Sequence, residues 1–341
     1  MEIKSTILLI GMNICCLESL KSNRKGYRVK LNYLPIYLLA VLTGICNAAP
    51  FAYSSNEGSG TVSQLDIATK QVVATADIGG SPRGIAVSPD GTSIFVSEQA
   101  KAQVVAIDAA TMQVKGRVPV GKSPEAIYVS KDGRYLTVAN EENNDVSIIE
   151  PTSLKIMATI PVKGKNPEHA VMSPNNQYIF VSAEESDKVD VIDFAKKTQV
   201  TQIQVGLRPR GIAFTPNGMI AVVACEAVDT IYFIDVPKLR VIGQLRTGTR
   251  ANGVTIQRDG KIAFISNGGD DNVSFVDIAT MSMITSAPVG KRPWNMALSP
   301  EGDWLFVANG RSNSISVVDT KNATSVEQIA VDKRPWGVAT Q

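Results

Sequence analysis

The residues in this chain best suited to chemistry recur at matching places in a repeated phrase. Arg208, Arg250, Arg292 and Arg334 precede a shared position, and Arg83, Glu125, Glu168, Arg210, Asn252, Trp294 and Trp336 follow it. Glu141, Glu184 and Glu226 lie 16 residues beyond Glu125, Glu168 and Arg210. The only histidine, His169, adjoins Glu168. Arginine forks suit carboxylates or phosphates, and tryptophan faces suit planar or cationic groups. The competing interpretation is that these arginines and glutamates pair with one another. His169 with Glu168, Glu125 and Glu141 could ligate a divalent metal, but a histidine hydrogen-bonded to a carboxylate is the simpler expectation. No Gly-x-Ser-x-Gly elbow, haem-attachment motif, zinc spacing or P-loop accompanies them. The sequence therefore assigns no catalytic residue, no metal and no cofactor.

What must position these side chains is the repeat itself. SPRGIAVSPDG starts at Ser81, SPEAIYVSKDG at Ser123, NPEHAVMSPNN at Asn166 and RPRGIAFTPNG at Arg208. RANGVTIQRDG follows from Arg250, RPWNMALSPEG from Arg292 and RPWGVAT from Arg334. The anchoring residues Pro82, Pro124, Pro167, Pro209, Ala251, Pro293 and Pro335 are spaced 42, 43, 42, 42, 42 and 42 apart. A fixed period of this size marks a solenoid or propeller. Each unit holds four short β-rich runs punctuated by Gly, Pro, Asn and Asp, which matches a four-stranded propeller blade. The chain ends just after a first strand, Gly337 to Thr340, and its repeats open at Phe51 on a second strand. The expectation is an all-β, seven-bladed β-propeller of four-stranded antiparallel blades, closed by a blade shared between N- and C-terminal strands. Such closure removes exposed edges.

In an antiparallel blade, the residues flanking the repeat proline share a face with the end of the second strand. These positions should ring the mouth of the central channel, with an arginine and tryptophan half facing a carboxylate half that includes His169. Other repeated residues are expected to be scaffold. Asp66, Asp108, Asp193, Asp235, Asp277 and Asp319, with Glu150, should accept backbone N–H bonds in a turn. Gly79, Gly121, Gly164, Gly206, Gly248 and Gly290 should permit φ > 0. Cys225 lies on a β run and should be buried.

Residues 1–48 differ from the rest: a basic run (Lys21, Arg24, Lys25, Arg28, Lys30) precedes the apolar stretch Leu31 to Ile45 and then Cys46-Asn47-Ala48-Ala49. This is the pattern of a cleaved secretory signal, leaving one propeller domain over 49–341. The leader carries six basic and two acidic residues, so its loss moves the formal net charge from +2 to −2. A nearly neutral surface argues against nucleic acid as a partner. Cys15, Cys16 and Cys46 leave with the leader, so Cys225 has no intramolecular disulfide partner. The mature protein is expected to be a periplasmic or secreted monomer with no membrane association.

The units FVSE, TVANE, FVSAE, FISNG and FVANG, each followed by a [VI]-x-x-[IV]-[DE] strand, resemble the YVTN-type β-propeller repeat over residues 51–341. The opening FAYSSNEGSGTVSQLD and the leader look most like exported β-propeller proteins associated with pyrroloquinoline-quinone-dependent alcohol catabolism. That resemblance implies a non-catalytic propeller that binds a small ligand or a periplasmic protein, such as a quinoprotein dehydrogenase or a transporter component. A metal-dependent hydrolase of the lactonase type and a cell-surface interaction module are the alternatives. The resemblance carries no catalytic residues to transfer.

Overall fold

Each repeat folds into four antiparallel strands, and burial across a blade explains the residues at each place. The computed structural model describes residues 50–341. The leader expected over 1–48, with Cys15, Cys16 and Cys46, lies outside the described residues. Second strands such as Tyr178–Ala183 and third strands such as Lys188–Asp193 are buried on both faces, because blades stack face to face. Both-face burial accounts for unbroken apolar runs such as Ile94-Phe95-Val96 and Val104-Val105-Ala106-Ile107. Phe95, Phe180, Phe233, Phe264 and Phe306, together with Tyr53, are almost wholly buried there. Outer strands meet solvent: Ser282–Pro288 buries only Ala287.

Seven four-stranded sheets result, and one of them joins the two ends of the described chain. Pro335–Thr340 pairs antiparallel with Phe51–Asn56, placing Ala52 opposite Thr340 and Ser55 opposite Gly337. The shared blade is thus present as the sequence predicts. Neighbouring blades are also stitched by serines of the second strand. Ser97 Oγ accepts from Gly84 N at 2.8 Å and donates to the Glu125 carbonyl of the next blade, and Ser266 repeats the device between Gly253 N and the Trp294 carbonyl.

The turn carboxylates are scaffold. Thr69, Thr111, Ser153, Lys196, Lys238, Thr280 and Asn322 each donate a backbone N–H to the carboxylate three residues before. The glycine expectation needs correction. Of the six strand-ending glycines, only Gly79 has a positive φ. The others are required for space: a Cβ at Gly121, Gly248 or Gly290 would lie 2.6 Å from the side chain of Asn140, Asn267 or Asn309. Those asparagines are fully buried and tie the second strand to the third, as Asn267 Nδ2 does to Ser274 Oγ at 2.8 Å.

Candidate functional site

Two backbone features aim side chains into the mouth. The first is a bulge in the inner strand. Pro82 pairs with Glu98 but Ile85 with Val96, so the inner strand carries one extra residue just after the repeat proline, and the six other blades repeat the shift. A bulge re-aims the side chain it carries, and here it carries Arg83, Glu125, Glu168, Arg210, Asn252, Trp294 and Trp336. The second is a left-handed residue before the proline. Arg208, Arg250, Arg292 and Arg334 have φ of 56°, 59°, 56° and 55°. That conformation costs about 1–2 kcal/mol per non-glycine residue. It is held from both sides. Arg292 N donates to Asp271 Oδ1 at 2.8 Å, and its carbonyl accepts from Gly310 N at 3.0 Å; Arg208, Arg250 and Arg334 are held alike.

The charges gathered this way interleave instead of dividing into two halves. Arg210 binds Glu168 and lies 3.1 Å from both Glu184 and Glu226. Arg83 joins Glu57, at 3.1 Å, to the fully buried Glu125. Arg208 caps Glu184, Arg250 reaches Glu226 at 2.8 Å, and Arg334 meets Glu57 at 3.2 Å. The side chains of these last three arginines are 46–58% exposed, so they form a rim around the partly buried Arg83 and Arg210. The expected bipolar mouth is therefore corrected. Arginine side chains are long enough to cross between blades, and buried carboxylates attract them.

Arg292 differs from the others. Its Nη2 donates to Glu226 at 2.7 Å, but Nη1 is buried and finds no acceptor. Burial, followed by Arg250 and Arg210, works against its protonation, and the favourable pull of Glu226 leaves its pKa below the ordinary value. It lines a cavity of about 140 Å³ together with Asn252, Trp294, Arg334, Trp336 and His169. Asn252 makes no side-chain hydrogen bond among the described residues.

Beneath the ion pairs sits an aromatic layer. The Trp336 ring stacks on His169 with centroids 6.3 Å apart, and Trp294 follows at 6.4 Å. His169 was expected to meet a carboxylate; instead its Nδ1 shares a 2.6 Å hydrogen bond with the Tyr128 hydroxyl. Burial, with Arg210 adding to it, pushes the imidazole down to about 3, so it is neutral at physiological pH. Below this layer the inner strands enclose a second cavity of about 360 Å³. Its wall mixes apolar side chains such as Ile85, Ile127, Val171, Ile212 and Met296 with polar surface.

The carboxylates divide by surroundings. Burial opposes ionisation of Glu226, but Arg210, Arg292 and Arg250 outweigh it and draw the group down to about 2. Burial of Glu125 prevails over Arg83 and, helped by Glu141, lifts it to about 7. A carboxylate whose folded pKa exceeds its ordinary value contributes stability below that value and loses it as pH rises through the folded pKa. Glu125 should therefore become a liability between pH 4.5 and 7. We expect the melting temperature of E125Q to gain on that of the wild type as pH is raised from about 5 to 8 in metal-free buffer. Parallel pH profiles for the two proteins would contradict the assignment.

Sequence reasoning brought Arg83, Glu125, His169, Arg208, Arg210, Arg250, Asn252, Arg292, Trp294, Arg334 and Trp336 to one face, and the structure places them there. Glu141, Glu184 and Glu226 join them. It missed the roles of Glu57, Glu168 and Tyr128 as partners of Arg83, Arg210 and His169. A signal existed for the last pair. Tyr128 replaces the Ala86, Ala213, Ala297 and Ala339 of other repeats, and His169 replaces Gly84, Gly211, Gly253 and Gly337.

The fold and its mouth define a seven-bladed β-propeller. In comparisons with known proteins, a model described as "Lactonase, 7-bladed beta-propeller" matches residues 193–331, and one for the cytochrome D1 haem domain matches residues 50–215. Each covers less than half of the chain. No curated protein matches. Among solved structures, the chain is similar to Kuenenia stuttgartiensis hydrazine synthase at 23% identity, covering 76% of this chain and 89% of that one with a TM-score of 0.69. It is also similar to a functionally unknown protein from Desulfotomaculum acetoxidans DSM 771, at 17% identity, 85% and 98% coverage and a TM-score of 0.77. Identities this low speak for the fold alone. The haem implied by one of these models does not fit here. The single histidine is buried with Nδ1 engaged by Tyr128, and the cavity it lines, about 140 Å³, is too small for a macrocycle.

Proposed function

We propose that this propeller is a non-catalytic binding protein, and that its channel mouth recognises a small carboxylate-bearing ligand with a planar or apolar body. The observation that carries this reading is Arg292, a buried guanidinium left short of an acceptor at a pocket that also offers Asn252 and two tryptophans. A carboxylate there would supply the missing anion, and Trp294 and Trp336 would flank its body. The remaining ionisable groups favour binding over turnover. His169 is held neutral by burial and bonded to Tyr128, and burial pushes the Cys225 thiol up to about 12. We further propose that the protein acts outside the cytoplasm as an accessory to a quinoprotein oxidation or transport system. The leader pattern and the repeat resemblance support this second step.

The test is a thermal-shift screen of small aromatic and aliphatic carboxylates against their matched alcohols, with the same compounds' lactones assayed for hydrolysis. Carboxylates should raise the melting temperature, alcohols should not, and lactones should persist. Hydrolysis of a lactone abolished by changes at the mouth would replace this reading with the lactonase one, which the partial family match to residues 193–331 also favours.

A further inference from the structure

The sequence assigned no metal, although it considered one held by His169 with Glu168, Glu125 and Glu141. Tyr128 takes up His169 Nδ1, but the carboxylates converge without it and are joined by Glu184. One oxygen from each of Glu141, Glu168 and Glu184 lies within 4.8 Å of the others. Glu168 and Glu184 are 3% and 6% exposed, and Glu141 is half-buried. A separate observation shows that the cluster lacks something. Glu125, fully buried and within hydrogen-bonding reach of Glu141, carries an Oε2 with no partner. Glu168 Oε2 is likewise buried and unpartnered. The nearest cations are already committed, Arg210 to Glu168, Glu184 and Glu226, and Arg83 to Glu57 and Glu125. Buried carboxylate oxygens without partners are costly, so either a proton or a further cation must stand between them.

We propose that Glu141, Glu168 and Glu184, with Glu125 beside them, form a divalent-cation site that takes calcium. An all-oxygen, anionic donor set selects hard cations over the softer transition metals. Calcium–oxygen distances of ~2.3–2.6 Å let opposite ligands stand roughly 4.6–5.2 Å apart, whereas magnesium at ~2.1 Å draws them to about 4.2 Å. Separations within 4.8 Å fall inside the span that calcium can bridge. The donors are fixed by the fold, since Glu141 and Glu184 follow second strands of adjacent blades and Glu168 sits on an inner-strand bulge. An ion can enter from solvent, because Glu141 and Glu184 also line an open cavity of about 760 Å³. Glu168 also lines the pocket at Arg292, so this site adjoins the proposed carboxylate pocket, whereas Glu141 and Glu184 lie outside that lining.

The experiment is calorimetric titration of the full chain with CaCl2 at pH 8, with MgCl2 as comparison. The expected result is one calcium per chain, and weaker magnesium binding. E141Q and E168Q should each weaken calcium by about tenfold or more, while exchange of the exposed neighbour Glu142→Gln should leave it unchanged. Glu141 is half-buried and its hydrogen bond is to Ser123 Oγ, so E141Q keeps the test open should E168Q fail to fold. No binding up to about 5 mM calcium, above the ~10⁻⁴–10⁻³ M range of weak extracellular modules, would overturn the proposal and leave shared protons as the occupant. Undiminished binding in E141Q would overturn it as well, and equal affinity for magnesium would overturn the choice of calcium.

Discussion

Exchange of Arg210 for methionine is expected to destabilise the protein by about 3–5 kcal/mol, the cost of leaving buried charges uncompensated. Arg210 alone touches Glu168, Glu184 and Glu226, whose side chains are 3%, 7% and 2% exposed. Methionine retains much of the apolar stem, so the loss reads charge more than packing. Urea denaturation at pH 7 measures it. The loss should shrink near pH 4–5, where the orphaned carboxylates can take up protons. E168Q should restore part of it in the double variant, because Glu168 pairs with Arg210 alone, whereas Glu184 keeps Arg208 and Glu226 keeps Arg250 and Arg292. A loss below about 1 kcal/mol would mean that water already screens these pairs, as at an exposed bridge.

Deletion of residues 335–341 should be more damaging still. Pro335–Thr340 is the inner strand of the shared blade, and it carries Trp336, Val338 and Ala339, all buried to within 9%. Burying a large apolar side chain contributes roughly 1.5–3 kcal/mol, and a domain holds only about 5–15 kcal/mol in all. The truncation also strips the partner from Phe51–Asn56 and leaves that strand as an open edge. The expected outcome is aggregation or the loss of a cooperative melting transition. An unchanged melting temperature would contradict the closure.

How much of this was legible beforehand varies with the kind of force involved. The propeller and its seam could be read because repeats of one period impose one local structure, and because incomplete blades at the ends complement each other. The turn carboxylates could be read because their bonds are local. Glycine was harder: Gly121 and Gly248 resemble turn glycines by position, yet they answer to an asparagine side chain brought in by the fold. The mouth was legible as a set of positions but not as a set of bonds. Which arginine reaches which glutamate depends on side-chain length and on a one-residue bulge after each proline. The isolated Gly84, Gly211 and Gly253 beside that bulge were its only mark in the sequence. That Glu125 Oε2, Glu168 Oε2 and Arg292 Nη1 each lack a partner follows from the count of charges in a closed space, which no single repeat displays.

Arg292 carries the central claim, and its replacement tests that claim most directly. Glu226 keeps Arg210 and Arg250 when Arg292 is lost, so R292Q should melt within a few degrees of the wild type. The decisive measurement is the affinity of R292Q and wild type for the carboxylate that gives the largest thermal shift, followed by tryptophan fluorescence, since Trp294 and Trp336 both line the pocket. A charge-assisted bond of ~1.5–3 kcal/mol corresponds to a loss of roughly ten- to a hundredfold. The account predicts that loss with the fold intact. Equal affinity in the two proteins, or a variant that unfolds while the wild type binds no carboxylate at all, would show that Arg292 serves the scaffold and that the mouth is not the binding site.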